Sequence, residues 1–292
     1  MNPHSPLGVL YLPHGYHRRC FGCFCTVYKV VIAITIVLCL VVLGGCSSTN
    51  ELEGKDAKQP VASDSPQADL IRRANIRKEL AAGYLDQGKP EIALDEVNQA
   101  LALDPRMTDA LVLRGLIYFR MGDQVGVEQS YRRALMTDGL NGSAAHNLGL
   151  LLCQQRKFSE AQTFFKLALE APKYKDQFVT WLTKGVCEAR SGALLEAKDS
   201  LHNAFELDPV NPIAAFNLGK LYYQTKQYGR AQFYIARINA TSLANAESLH
   251  LGVLIERRLD NTEKAKQLYD SLRARFPNSS QLARLDRGDT ND

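Results

Sequence analysis

The hydrophobic pattern divides the chain into three stretches. Val30 to Leu43 reads VVIAITIVLCLVVL, an almost unbroken apolar run. Ser47 to about Asp69 is rich in Ser, Asp, Lys, Gln and Pro and poor in large apolar residues, the composition of a flexible tether. From Arg72 to Pro277, small and large apolar residues return on a fixed schedule, which predicts a succession of antiparallel helix pairs.

The schedule has a period of about 34 residues. Asn147-Leu148-Gly149 and Asn217-Leu218-Gly219 lie slightly more than two such periods apart, and Leu103-Asp104-Pro105 and Leu207-Asp208-Pro209 lie about three apart. That period resembles the tetratricopeptide repeat. Its frame asks for a small residue at position 8, a large apolar one at 11, Ala at 20, a bulky one at 24, Ala at 27 and Pro at 32. Repeat one fits throughout with Ala81, Tyr84, Ala93, Val97, Ala100 and Pro105. Repeat two supplies Gly115, Tyr118, Val127, Tyr131 and Ala134, and repeat three Gly149, Leu152, Ala161, Phe165 and Ala168. Repeat four has Gly185, Ala197, Leu201, Ala204 and Pro209, with Glu188 departing at position 11. Repeat five has Gly219, Tyr222, Ala231, Ile235 and Ile238. Repeat six, framed from Asn245, has Gly252 and Ile255 and, after one inserted residue, Ala265, Tyr269, Leu272 and Pro277. No single repeat can bury its own apolar face, so six stacked repeats are expected to share one continuous core. The expected fold class is therefore all-α, an α-solenoid of six helix-turn-helix repeats following a lipoprotein signal peptide.

The N-terminal apolar run is short of the roughly 20 residues that a spanning helix needs. Basic residues precede it and Gly44-Gly45-Cys46 follow it, the layout of a signal peptide that resembles a bacterial lipobox. The resemblance implies cleavage before Cys46 and acylation there, so the only covalent group expected is lipid and no cofactor is called for. Several acyl chains anchor firmly, each buried methylene contributing about 0.8 kcal/mol. Ser47 and Ser48 at the next positions imply delivery to the outer membrane, with the chain facing the periplasm. The expected organisation is signal peptide 1–45, lipidated tether 46–69, repeat domain 70–285 and polar tail 286–292. The repeats span 74–107, 108–141, 142–175, 178–211, 212–244 and 245–279.

Charge narrows the partner class. The chain holds 35 Lys and Arg against 31 Asp and Glu; residues 1–45 carry Arg18, Arg19 and Lys29 and no acid, leaving 32 against 31 beyond them. A near-neutral body lacks the concentrated basic face that nucleic acid requires. The histidines beyond residue 45 (His146, His202 and His250) have no His or Cys at metal-ligand spacing on the same helix, and neither a phosphate loop nor a nucleophile elbow is present. His14, His17, Cys20, Cys23 and Cys25 stand at ligand-like spacing but lie upstream of the expected cleavage site. The sequence thus predicts a protein-binding chain without metal, small-molecule substrate or catalytic residues.

Positions 2, 5, 9 and 12 of each first helix are expected to line a groove for an extended or helical peptide. They include Lys78, Leu85, Val112, Leu116, Phe119, His146 and Leu150 in repeats one to three, and Ile213, Phe216, Lys220 and Tyr223 in repeat five. Asn147 and Asn217 recur at position 6, without the Lys and Arg pattern of a carboxylate clamp. Cys153 and Cys187 fall on the first helices of adjacent repeats, at positions 12 and 10. Spacing and an oxidising compartment leave two readings open for them, a disulfide or two buried thiols.

Lipobox, tether, six repeats and this cysteine pair together resemble the PilF/PilW family of type IV pilus biogenesis lipoproteins. The phrases most alike are Ile76 to Leu85, Leu150 to Cys153, and Leu182 to Cys187. The resemblance covers about Arg72 to Pro277 and implies a Cys153–Cys187 disulfide. It also implies pilotin activity, in which the lipoprotein helps the secretin PilQ reach the outer membrane and multimerise, with twitching motility depending on it. Two other assignments for a repeat lipoprotein are the outer-membrane β-barrel assembly machine and a cell-wall synthesis complex.

Overall fold

The computed structural model describes residues 65–288. The expected signal peptide, the lipidation site Cys46, nearly all of the tether and the last four residues of the tail lie outside the described residues. Within them the chain forms thirteen α-helices and no strand: α1 Pro66–Asp86, α2 Pro90–Leu103, α3 Thr108–Met121, α4 Gln124–Thr137, α5 Gly142–Gln154, α6 Phe158–Glu170, α7 Gln177–Ser191, α8 Leu194–Leu207, α9 Pro212–Gln224, α10 Tyr228–Asn239, α11 Ala246–Arg258, α12 Thr262–Arg275 and α13 Ser280–Asp286. Odd-numbered helices up to α11 are the first helices of repeats and even-numbered ones the second. Pro90 and Pro212 sit in the first turns of α2 and α9, where the missing N–H costs nothing. Asp123, Asn141 and Asn211 start α4, α5 and α9 by accepting from backbone N–H groups of the first turn.

Within each repeat the chain reverses through one residue in the left-handed region. These residues are Gly88 (φ 72°), Gly122 (79°), Arg156 (61°), Gly192 (87°), Lys226 (59°) and Asp260 (59°). They recur at one repeat period throughout, except that the step from Arg156 to Gly192 is longer by two. The two extra residues fall in the connection between α6 and α7, around Tyr174.

The same register corrects the frame of repeat six. Asn245 is not its first helical residue but the N-cap of α11: its side chain accepts from Ser248 N, and Ser248 Oγ accepts from Asn245 N in return. The helix starts at Ala246, one full period after Pro212, and no inserted residue is needed. Position 8 is then Val253, fully buried, rather than Gly252, and position 11 is Glu256 rather than Ile255. One further period brings Ser280, the start of α13. This short helix buries Leu282 and Leu285 against Leu249, Val253 and Leu272 and covers the end of the stack as a truncated seventh first helix.

The core explains the repeat frame. In repeats two to five the position-8 glycine lies beneath the bulky residue at position 24. A β-carbon at Gly115 would come within 2.5 Å of Tyr131, at Gly149 within 2.9 Å of Phe165, at Gly185 within 2.7 Å of Leu201 and at Gly219 within 2.6 Å of Ile235. Repeat one pairs Ala81 with the smaller Val97, both fully buried. Small-over-large pairing inside each repeat thus sets the distance between its two helices. First helices also touch across repeats (α5 with α7, α7 with α9, α9 with α11), whereas second helices of adjacent repeats stand farther apart.

Candidate functional site

The junction of repeats three and four, where the period is interrupted, is tied together twice. Cys153 on α5 and Cys187 on α7 form a disulfide with their Cα atoms 5.9 Å apart, and both are fully buried. One helical turn or more toward the N-terminal ends of the same helices, His146 Nδ1 lies 2.9 Å from Thr180 Oγ1. The hydroxyl of Tyr174, from the two-residue insertion, lies 2.8 Å from the same oxygen. Thr180 donates to the Asp176 carbonyl at 3.5 Å, so it accepts from His146 Nδ1–H and from Tyr174. His146 Nε2 is then the unprotonated nitrogen, buried and without a hydrogen-bond partner. Burial pushes the imidazole pKa down to about 4. His146 is a structural residue of this junction, not a base open to substrate.

That placement corrects part of the expected groove. Leu85, Val112, Leu116, His146 and Leu150 are buried, each less than a tenth exposed. Leu85, Val112 and Leu116 join the core that runs through repeats one to three, and Phe119 packs against it half-buried. Large side chains at positions 5, 9 and 12 of these repeats are thus covered rather than lining an open surface. Lys78 is half-buried on α1.

Farther along, the first-helix face is open. Ile213 is 47% exposed, Lys220 is exposed, and Phe216 and Tyr223 are half-buried on α9. Tyr223 packs 5.6 Å from the Tyr228 ring. On α7, Leu182 and Val186 are half-buried at positions 5 and 9 and continue this face. Neither belongs to the groove expected from sequence, although repeat four's own frame places them there. The surface is apolar and aromatic with a cationic edge, suited to a peptide whose apolar side chains dock between α7 and α9.

Two carboxylates at position 11 are bonded within the fold, Glu256 at both oxygens and Glu188 at Oε1 alone. Glu188 takes a hydrogen bond from Lys184, which also donates to Ser200 Oγ at 2.8 Å. Glu256, 2% exposed, accepts from Gln232 (2.8 and 3.0 Å) and Asn261 (2.7 Å) and pairs with Lys264 at 3.1 Å. Desolvation raises its pKa, but the bonds from Asn261, Gln232 and Lys264 outweigh it and hold the carboxyl below the usual range. These acids anchor second helices to first helices.

Among known protein families, a tetratricopeptide repeat model matches residues 79–135 and 182–239, and a second tetratricopeptide repeat model matches 248–279. Together they cover about half of the 292 residues. The type IV pilus assembly protein PilF of Pseudomonas aeruginosa is 24% identical over 247 residues, 85% of this chain and 94% of PilF. The crystal structure of PilW, described as a widely conserved type IV pilus biogenesis factor, superposes with a TM-score of 0.67 at 27% identity. The match covers 73% of this chain and 97% of that one. The structure of Pseudomonas aeruginosa PilF superposes equally well, TM-score 0.67 at 22% identity, over 75% and 99% of the two chains.

Proposed function

We propose, from the premise that this chain belongs to the tetratricopeptide-repeat proteins and is homologous to PilF, that it serves type IV pilus biogenesis as a pilotin. In this reading Cys46 carries the lipid and holds the chain on the periplasmic face of the outer membrane. The repeat domain binds the secretin PilQ and promotes its delivery and multimerisation. The tetratricopeptide fold is a protein-interaction fold, and the role is binding rather than catalysis. The observation that carries the reading is the end-to-end match with PilF, which spans 94% of that protein rather than a shared repeat or two. The open α7–α9 face, with Leu182, Val186, Phe216, Lys220 and Tyr223, is the surface assigned to the secretin peptide.

The test is a deletion strain. Outer-membrane fractions are blotted for the heat- and detergent-resistant secretin oligomer, with surface pili and twitching scored alongside. Complementation uses wild type, Cys46→Ala, and a Val186→Glu, Phe216→Glu double variant. Loss of the oligomer on deletion, restored by wild type and not by the double variant, supports both role and surface. An unchanged oligomer and normal pili refute the pilotin role.

A further inference from the structure

The second helices of repeats four and five, α8 and α10, flank a seam on the opposite side of the stack from the first-helix face. Three cavities lie along it, of about 340, 480 and 250 Å³. Arg230 lines the first two and Arg237 the third. The walls are aromatic: Phe233 is 56% exposed and meets Tyr234 edge-on at 5.1 Å, and Tyr234 stacks on Tyr222 at 5.7 Å. The Arg237 guanidinium sits over both Phe205 (5.8 Å) and Phe233 (5.6 Å), and that of Arg230 over Tyr222 (5.6 Å).

The repeat register supplies an internal comparison. The seam between repeats two and three carries Glu128 at position 21, Arg132 at 25, then Glu160 at 19 and Phe164 at 23 of the next repeat. There the chain meets its own charges: Arg132 pairs with Glu128 (2.8 Å) and Glu160 (2.6 Å) and lies over Phe164 at 5.7 Å. In the seam between repeats four and five, the same four positions hold Lys198, His202, Arg230 and Tyr234. Both carboxylates have become cations. Among the described residues Lys198 pairs only with its exposed sequence neighbour Asp199, at 3.4 Å. Arg230 donates to the neutral Gln227, and among the described residues neither Arg230 nor Arg237 has a carboxylate within ion-pairing distance. The nearby acids Asp199 and Glu206 both lie on α8, and His202 is engaged by the Tyr222 hydroxyl at 2.7 Å.

We infer that the α8–α10 seam is a second docking surface, which takes an acidic peptide segment of a partner protein. The partner's carboxylates would lie among Lys198, Arg230 and Arg237, in the place that the Arg132 guanidinium takes between Glu128 and Glu160 in the earlier seam. An apolar side chain between them would rest on Phe233. Charge reversal at matched positions, on aromatic walls that already hold the guanidinium groups in place, selects an acidic occupant. This surface is independent of the first-helix face and of the pilus reading.

The full chain, purified in detergent, is titrated with a fluorescent peptide of about ten residues, long enough to run the roughly 20 Å of α8 in extended form. The peptide alternates Glu with Ser around a central Phe-Leu pair, and a control has Gln for Glu. The acidic peptide is expected to bind at least roughly 10-fold more tightly than the control and to weaken steeply with salt. Lys198→Glu with Arg230→Glu installs charges that the earlier seam already tolerates at those positions. It should abolish binding while leaving the helical circular dichroism and melting temperature in place. Equal affinity for both peptides overturns the proposal, as does unchanged binding by a folded double variant. Capture by phosphatidylglycerol vesicles in place of the acidic peptide also overturns it, and would assign the cations to a lipid surface.

Discussion

Tyr174 lies across Gly142 so closely that a β-carbon on the glycine would stand 2.5 Å from the tyrosine's own Cβ and Cγ. Tyr174 belongs to the two-residue insertion, and its hydroxyl reaches Thr180. The glycine thus gives the insertion its seat on α5. Gly142→Ala must push the ring and its connection outward. The expected loss is about 1–3 kcal/mol, the range for overpacking a filled site. Gly139→Ala is the control, because its β-carbon would meet only one backbone oxygen at 3.7 Å. Urea denaturation followed by circular dichroism reads both; a Gly142→Ala variant as stable as wild type would show that the insertion is not seated there.

The disulfide spans the same junction. Its cysteines are 34 residues apart, and closing a loop of that length is worth about 3–4 kcal/mol in the chain-entropy account. Alkylation of the unfolded, unreduced protein followed by mass spectrometry should leave Cys153 and Cys187 unlabelled. Reduction, or Cys153→Ser with Cys187→Ser, should lower the melting temperature and raise amide exchange first in α5 and α7. Prompt labelling of both thiols without reductant would rule the bond out.

Much of this architecture is written at positions 8, 20, 24 and 27, because close packing permits few residue types there. Gly115 beneath Tyr131 and Gly149 beneath Phe165 are legible in the amino-acid sequence as a recurring small-and-large pair. The turns are less so. Gly88, Gly122 and Gly192 announce a left-handed residue, but Arg156, Lys226 and Asp260 adopt the same backbone with no such signal. Without that landmark the frame of repeat six slips by one. The groove is legible only as a helix face. Whether Val112 or Phe216 on that face is covered depends on its tertiary neighbours, which a single repeat's pattern does not encode. The seam cations Lys198, Arg230 and Arg237 become informative only when two seams are compared in register.

The left-handed turns carry their own prediction. A β-carbon at Gly122 would meet nothing within 4 Å, and the same holds at Gly192. Any cost of Gly122→Ala or Gly192→Ala is therefore conformational, about 1 kcal/mol each. Conversely, Lys226→Gly relieves a left-handed lysine, and the expected gain is smaller, about 0.5 kcal/mol, because glycine adds freedom to the unfolded chain. Equilibrium denaturation of the three variants should order them Lys226→Gly, wild type, then the two alanine variants. Any other order would mean that these turns are not the rigid landmarks of the repeat.

Tyr131 is fully buried over Gly115, and its hydroxyl has no hydrogen-bond partner. Burial raises the phenol's pKa well above its ordinary value, so the group is neutral at any working pH. An unsatisfied buried hydroxyl costs about 1–3 kcal/mol, and removing it keeps the ring contacts. Tyr131→Phe is expected to be at least as stable as wild type, with a gain of up to about 1 kcal/mol. A clear loss of stability would reveal a partner for the hydroxyl.

The pH dependence of stability follows from His146 and Glu256, in two different windows. His146 has a folded pKa of about 4 against an ordinary 6.5, so between these values the unfolded chain binds the extra proton. Stability is therefore full above pH 6.5, falls as the pH drops toward 4, and levels off below, a loss of about 3 kcal/mol from this group. Glu256 has a depressed folded pKa, so its contribution is present above the ordinary carboxylate range and is lost at lower pH still, as protonation breaks the bonds from Gln232, Asn261 and Lys264. Denaturation midpoints measured from pH 8 to pH 4 should decline in wild type. In His146→Gln, which keeps a polar group near Thr180 and removes the titration, the part of the decline between 6.5 and 4 should disappear. His146 titrating near 6.5 by NMR in the folded protein would mean that water reaches Nε2, and the junction between α5 and α7 would then be open rather than packed.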